Sequence, residues 1–328
     1  MCLVTLAIDQ NRRFPLVIAA NRDEFFKRPT ARLAWWTPES GGPAILSGRD
    51  LEAGGTWMGL TAEGRLALVT NVRDPQRTEA GAPSRGRIVP EWLSARDRTD
   101  RFWMRSALSG YNGFNLIAFD FRRGECFWAT NNGEHPLRLE RGVHGLSNAG
   151  LDTPWPKVKA LKSRVAEALD SVESVDAMAM QLFDALADRS EAPDEALPET
   201  GVPLDWERRL SAAFIRTPDM AYGTRCSTLV ITEKVNRHLV THVLERTFSA
   251  AGGMALLRRS TLKNWPPRYT ADEQSYKPSE TEAVSESELQ APSIAELQAA
   301  AKKPRVRSLL KPEPSKRRRR AGAPATTY

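Results

Sequence analysis

A cysteine directly behind the initiator methionine has a chemical option that no internal cysteine has. If Met1 is removed, which a small second side chain permits, Cys2 carries a nucleophile and a base on one residue. Its free α-amino group, with a pKa of about 8, can take the thiol proton, so no histidine is required. An arginine beside the sulfur would hold the thiolate, and an aspartate beside the amine would orient the ammonium that forms. Arg22 and Asp23, in the polar run Asn21-Arg22-Asp23-Glu24, are the residues of those types. The alternative is that Cys2 is a small hydrophobe at a strand end and the polar run an ordinary surface turn.

What must bring the two segments together is a hairpin. Val4, Leu6 and Ile8 alternate with Leu3, Thr5 and Ala7, the pattern of a strand buried between layers. Asp9 to Arg13 reads as the turn, and Leu16 to Ala20 as the return strand. Antiparallel pairing through so short a turn lays Asn21 to Glu24 close to Cys2. Further on, Leu66 to Thr70 is a strand nearly apolar on both faces that ends in Asn71. An amide there either satisfies backbone locally or points a donor into a cleft.

Several long motifs stand in one order along the chain. They are Met1-Cys2-Leu3, Ala20-Asn21-Arg22-Asp23-Glu24, Gly54-Gly55-Thr56-Trp57-Met58-Gly59 and Leu68-Val69-Thr70-Asn71-Val72-Arg73. Gly145-Leu146-Ser147-Asn148-Ala149, Asp152-Thr153-Pro154-Trp155-Pro156-Lys157 and Tyr222-Gly223-Thr224-Arg225-Cys226-Ser227-Thr228 come after them. Together they resemble the NRDE family, that of the transport and Golgi organisation proteins, over about residues 1 to 265. The resemblance implies an α+β fold similar to the N-terminal-nucleophile hydrolases, a four-layer αββα sandwich of two antiparallel sheets between helix layers. It also implies a link to haem mobilisation and to lipid or acyl-CoA homeostasis. A second likeness is to the choloylglycine hydrolases, which are N-terminal-cysteine amidases. It implies that Asn71 is an oxyanion donor, that Asn148 supports the oxyanion or substrate, and that Arg225 positions charge nearby. In those enzymes the early Arg and Asp are three positions apart, whereas Arg22 and Asp23 are adjacent, so Asp23 and Glu24 both remain candidates for the carboxylate role.

Composition agrees with an enzyme-sized body followed by a tail. The chain has 328 residues, 41% of them hydrophobic, enough for one large core. Its three cysteines, Cys2, Cys126 and Cys226, cannot all pair. With no apolar leader and no apolar run of membrane-spanning length, the sequence reads as cytoplasmic. The net charge of +7 divides into +3 for residues 271–328 and +4 for the rest, too diffuse for a committed nucleic-acid-binding face. The body is expected to occupy residues 1–268. Residues 269–328, rich in Ser, Glu, Lys, Pro and Ala and ending in the basic run Lys316 to Arg320, are expected to be disordered apart from a short helix begun by Ser293.

Elsewhere the punctuation is informative. Phe25 to Pro43 reads as a Pro- and Trp-marked loop in which Trp35 and Trp36 either line a ligand pocket or anchor the core. Residues between Pro83 and Ser109 turn helical, and 115–121 with 126–130 form a hairpin. Val158, Leu161, Val165 and Leu169, then Val175, Met178, Leu182, Phe183 and Leu186, recur at helical spacing and predict two consecutive amphipathic helices. Ser190 to Pro203 reads as a surface loop and residues 229–244 as a late hairpin. His238 and His242 share a strand face but stand about 13 Å apart, so no metal is expected there.

The residues point to an N-terminal-cysteine hydrolase acting on an amide or thioester. Cys2, Arg22, Asp23, Asn71, Asn148 and Arg225 are its machinery, and Asn21, Glu24, Trp35, Trp57 and Arg73 contact the substrate. The competing reading is a non-catalytic carrier in the same fold, holding haem or an acyl-CoA with tryptophans as walls and Arg22 or Arg225 facing its charge. Either way the partner is a small-molecule or lipid-like ligand.

Overall fold

In a computed structural model, which describes residues 2–250 and 255–267, the chain builds two sheets flanked by helices. Strands β1 (Cys2–Ile8) and β2 (Leu16–Phe25) form the opening hairpin. Strands β3 (Thr30–Trp36), β4 (Ile45–Asp50), β5 (Met58–Thr61) and β6 (Arg65–Asn71) then form a meander. Helices α1 (Ile88–Ser94) and α2 (Thr99–Ala107) come next, then strands β7 (Phe114–Asp120), β8 (Glu125–Thr130), β9 (Leu137–Arg138) and β10 (Gly142–Leu146). Helices α3 (Pro156–Ser171), α4 (Val175–Leu186) and α5 (Leu204–Ser211) precede the last three strands, β11 (Tyr222–Val235), β12 (His238–Thr247) and β13 (Leu256–Lys263).

One sheet runs β10-β1-β2-β11-β12-β13 and the other β3-β4-β5-β6-β7-β8-β9, with antiparallel pairing throughout. Strand pleat sorts their side chains into three apolar layers. Val4, Leu6, Ile18 and Val230 of the first sheet meet Leu60, Leu66, Leu68, Ile117 and Trp128 of the second. Their strand neighbours Leu3, Val17, Ala19 and Leu229 face α3 and α4, while Ala67, Val69, Leu116 and Ala118 face α1 and α2. The result is the four-layer αββα sandwich.

The two amphipathic helices form where the spacing predicts. Pro156 opens α3, its fixed φ and missing N–H suiting a first-turn position, and Ser174 accepts the Ala177 N–H to cap α4. Three expectations need correction. The polar run does not close the hairpin but lies inside β2, because β11 pairs along its other edge and carries the strand to Phe25. Trp35 and Trp36 sit not in a loop but in β3, held by pairing to β4. Strand β13 and helix α5 fall in stretches without a clean period, and β11 begins at Tyr222, well before the expected hairpin.

The compact unit spans residues 1–273. The expected short helix after Ser293 and the basic run fall outside the described residues, as does Met1. Among the described residues no helix is long and apolar enough to cross a membrane.

Candidate active site

Cys2 opens β1, and its register partner on β2 is Arg22. Arg22 in turn pairs with Cys226 on β11. Directly paired residues share a sheet face, so Cys2, Arg22 and Cys226 project together toward the inter-sheet layer. Asn21 and Asp23 project to the opposite, helix-covered face. The polar run is therefore divided by the pleat: Arg22 and Glu24 stand on the thiol's side, Asn21 and Asp23 on the other.

Each of the four has its own fixtures. The Arg22 guanidinium lies 4.3 Å from the Trp57 ring centroid, 3.7 Å from Glu24 Oε2, and donates to Thr30 Oγ1 at 3.4 Å. Trp57 can lie there because Gly48 leaves space: a Cβ at Gly48 would fall 2.4 Å from the indole. Asn21 donates to the carbonyls of Leu186 and Ala213 and accepts from Ser227 Oγ, which ties β2 to the helix layer and engages its amide inside the fold. Asp23 accepts from Thr224 Oγ1 at 2.7 Å.

Asp23 is buried beside Lys157, which occupies the first turn of α3 on its apolar side. Burial raises the Asp23 carboxyl above its ordinary value, with Lys157 and the Thr224 hydrogen bond pulling against it. Burial also lowers the Lys157 ammonium to about 8, and Lys157 Nζ donates to the Leu210 carbonyl at 2.7 Å. Cys2 is partly accessible, yet desolvation raises its thiol, with the Asp23 and Glu24 charges adding to the rise and Arg22 opposing it.

The ends of β10 in the first sheet and β6 in the second meet beside Cys2. Ser147 Oγ, just past β10, donates to the Cys2 carbonyl at 3.0 Å. Its neighbour Asn148 donates from Nδ2 to the Asn71 carbonyl at 2.7 Å, and the Arg73 N–H donates to the Asn148 carbonyl at 2.8 Å. Asn148 is thus the clasp between the ends of β10 and β6. The Asn71 side-chain amide makes no hydrogen bond to the described residues and remains accessible. Arg73 is paired to Glu207 at 2.6 Å and stacked 4.8 Å from the Trp155 ring, and Glu207 also accepts from the Thr200 N–H and hydroxyl.

The remaining sequence candidates lie farther out. Arg225, at the bulge between Thr224 and Cys226, donates through Nη1 to the carbonyls of Phe25 and Arg28 and so braces the end of β2. Trp35 stands exposed on β3, the outer strand of the seven-stranded sheet.

Four participants have no role that sequence reasoning assigns: Arg85, Lys157, Glu207 and Tyr222. Lys157 does leave a signal, since it interrupts the apolar stripe shared with Leu161, Val165 and Leu169. Tyr222 is buried, with a phenol raised by burial and by the charges of Asp23, Glu24 and Cys2. Arg85 begins a 3₁₀ turn that packs against the Gly54-Gly55-Thr56 segment, where a Cβ on Gly55 would fall 2.2 Å from the Gly86 carbonyl oxygen. That contact depends on tertiary approach and leaves no periodicity to read.

The arrangement offers a partly open thiol, a neighbouring guanidinium, a buried carboxylate on the far side of the strand, and an accessible amide at the end of β6. A transport and Golgi organisation 2 family model matches residues 1–250. The mouse transport and Golgi organization 2 homolog is 32% identical over 255 residues, covering 73% of this chain and 91% of its own. The Homo sapiens homolog is 32% identical over 251 residues, covering 71% and 89%. Among solved structures, a Caenorhabditis elegans N-acylethanolamine-hydrolyzing acid amidase ortholog aligns at 12% identity with a TM-score of 0.34, covering 70% of this chain and 92% of that one. By the extent of the family match and the identity to its relatives, this chain belongs to the transport and Golgi organisation 2 family.

Proposed function

We propose that the protein is a cytoplasmic N-terminal-cysteine hydrolase that cleaves an amide or thioester after Met1 is removed. The observation that carries the reading is the register of the first hairpin, which sets Cys2 against Arg22 with Asp23 one residue away on the opposite face. A strand's terminal amine is accessible from both faces. Asp23 can therefore orient the α-ammonium while Arg22 flanks the sulfur, and adjacent residues serve two different atoms of Cys2.

In the proposed cycle the α-amine takes the Cys2 proton and the thiolate attacks the substrate carbonyl carbon. The tetrahedral oxyanion is met by the Asn71 amide, held in place by the Asn148 clasp. As that intermediate collapses, the ammonium returns its proton to the departing amine or thiol, leaving an acyl group on Cys2 Sγ. A water, deprotonated by the same amine, attacks the acyl carbon, and the freed thiolate recovers a proton.

The test combines intact-mass measurement with an acyl-thioester probe on the full chain. Loss of Met1 and a probe adduct on Cys2 that disappears in Cys2→Ala are expected. A protein that retains its methionine has the Cys2 nitrogen locked in an amide, unable to act as base, and sinks the mechanism.

The raised Cys2 thiol favours a second reading, since a sulfur protonated at neutral pH is a poor nucleophile until its proton is taken. In it the same cleft carries haem or an acyl-CoA without turnover. Haem or acyl-CoA binding that survives Cys2→Ala, with no probe adduct on the native protein, decides for the carrier.

A further inference from the structure

Most of the charges around Cys2 have an opposite charge close by. Arg22 has Glu24 at 3.7 Å, Arg73 has Glu207 at 2.6 Å, and the Lys157 ammonium feels the Asp23 carboxylate. Arg85 has no carboxylate within ion-pair distance among the described residues. Its one hydrogen bond there runs from Nη1 to the Gly113 carbonyl at 2.9 Å. The other guanidinium nitrogens are neither bonded to the described residues nor shut off from solvent.

A short chain of contacts fixes Arg85 relative to the thiol. Gly113 O also accepts the Val72 N–H at 2.9 Å, next to Asn71, whose carbonyl takes the Asn148 amide. Ser147, the neighbour of Asn148, bonds to the Cys2 carbonyl. The turn bearing Arg85 packs on β6, on whose pleat Asn71 falls with Ala67 and Val69, the side toward α1. The guanidinium and Cys2 are near enough to feel each other's charge, and desolvation has already weakened the hold of Arg85 on its proton.

Arg85 is part-buried and feels Glu24 only at a distance, and a partly desolvated guanidinium without a contacting anion gains when something negative completes it. We propose that Arg85 is the anchor for an anionic substrate group, a carboxylate or a phosphate, carried near the carbonyl that Cys2 attacks. The proposal rests on the hydrolase reading for the chemistry after binding, and not for the binding itself. It makes Arg85 the specificity-determining residue: neutral amides and thioesters enter without their anchor, whereas acyl donors or leaving groups bearing an anion are held with the carbonyl facing Asn71.

The test compares two small alkylating reagents of nearly equal size on the full chain, with Cys2 modification monitored by peptide mass spectrometry. Iodoacetate carries the anion and iodoacetamide does not. Relative to a free thiol, the iodoacetate-to-iodoacetamide rate ratio at Cys2 is expected to fall about ten-fold in Arg85→Gln and to be partly kept in Arg85→Lys. An unchanged ratio in Arg85→Gln overturns the proposal. Calorimetric titration with glutarate and with inorganic pyrophosphate, on wild type and on Cys2→Ala, separates the two anions without using the sulfur's reactivity. Binding of either that survives Cys2→Ala and vanishes in Arg85→Gln supports the anchor and names its anion. Binding of neither to the wild type overturns it. Because Cys2→Ala leaves the calorimetric arm intact, failure of the hydrolase chemistry and failure of the anchor give different results.

Discussion

At the scale of the residue, the site is organised by which face of β2 each side chain takes. Adjacent Arg22 and Asp23 look redundant along the chain, yet the pleat sends them to opposite sides of the sheet, one toward the thiol and one toward the helix layer. Lys157 takes its place from the same division. Replacing it by Met leaves Asp23 buried without its cationic neighbour, so the Asp23 carboxyl should rise further and hold its proton to higher pH. In the proposed mechanism the pH profile of Cys2 acylation then shifts upward, and a profile identical to wild type would remove Lys157 from the mechanism.

Glu245 offers a stability prediction with a definite sign. It is buried on β12, accepts the Leu33 N–H at 2.7 Å, and burial raises its carboxyl from 4.5 to about 7. The folded state therefore prefers the protonated form. That contribution is complete below about pH 4.5 and is lost as pH rises through 7, an effect of about 3 kcal/mol. Glu245→Gln, which keeps an acceptor for Leu33, should raise the unfolding temperature at pH 8 and change it little at pH 4.5. Equal shifts at both values would show that the carboxyl is not titrating in that window.

At the scale of the element, what was legible in the sequence was periodicity. Strands β1, β6 and β7 and helices α3 and α4 have apolar spacings that admit one reading, and the hairpin register places Cys2 beside the polar run without any knowledge of the rest. The face assignment of Asp23, the clasp made by Asn148 and the unpaired state of Arg85 depend on which strands become neighbours. No local pattern encodes that. The Gly55–Gly86 approach is the clearest case, since it joins two turns of different elements, backbone to backbone. Neither side is a flexible side chain that could yield. Gly55→Ala should cost roughly 1–3 kcal/mol by equilibrium denaturation and displace the turn bearing Arg85. A stable variant with an unchanged iodoacetate preference at Cys2 would mean that this contact does not position the guanidinium.

At the scale of the whole molecule, the two sheets share one apolar layer and the groups around Cys2 gather where strand ends of both sheets meet, so the site draws on residues from position 2 to position 226. The described core closes without residues 274–328, and a chain ending at Glu273 should unfold at the same temperature and show the same Cys2 reactivity as the full chain. A lower unfolding temperature would assign that stretch a structural role.

One detail of the first sheet carries a practical consequence. Strand β10 begins its pairing with β1 at Val4, opposite Leu146, so among the described residues the first two of β1 have no ladder partner on that side and the Ser147 hydroxyl reaches across to the Cys2 carbonyl. In the proposed mechanism a peptide left ahead of Cys2 ties up the α-amine that serves as base, so purification handles belong at the opposite terminus.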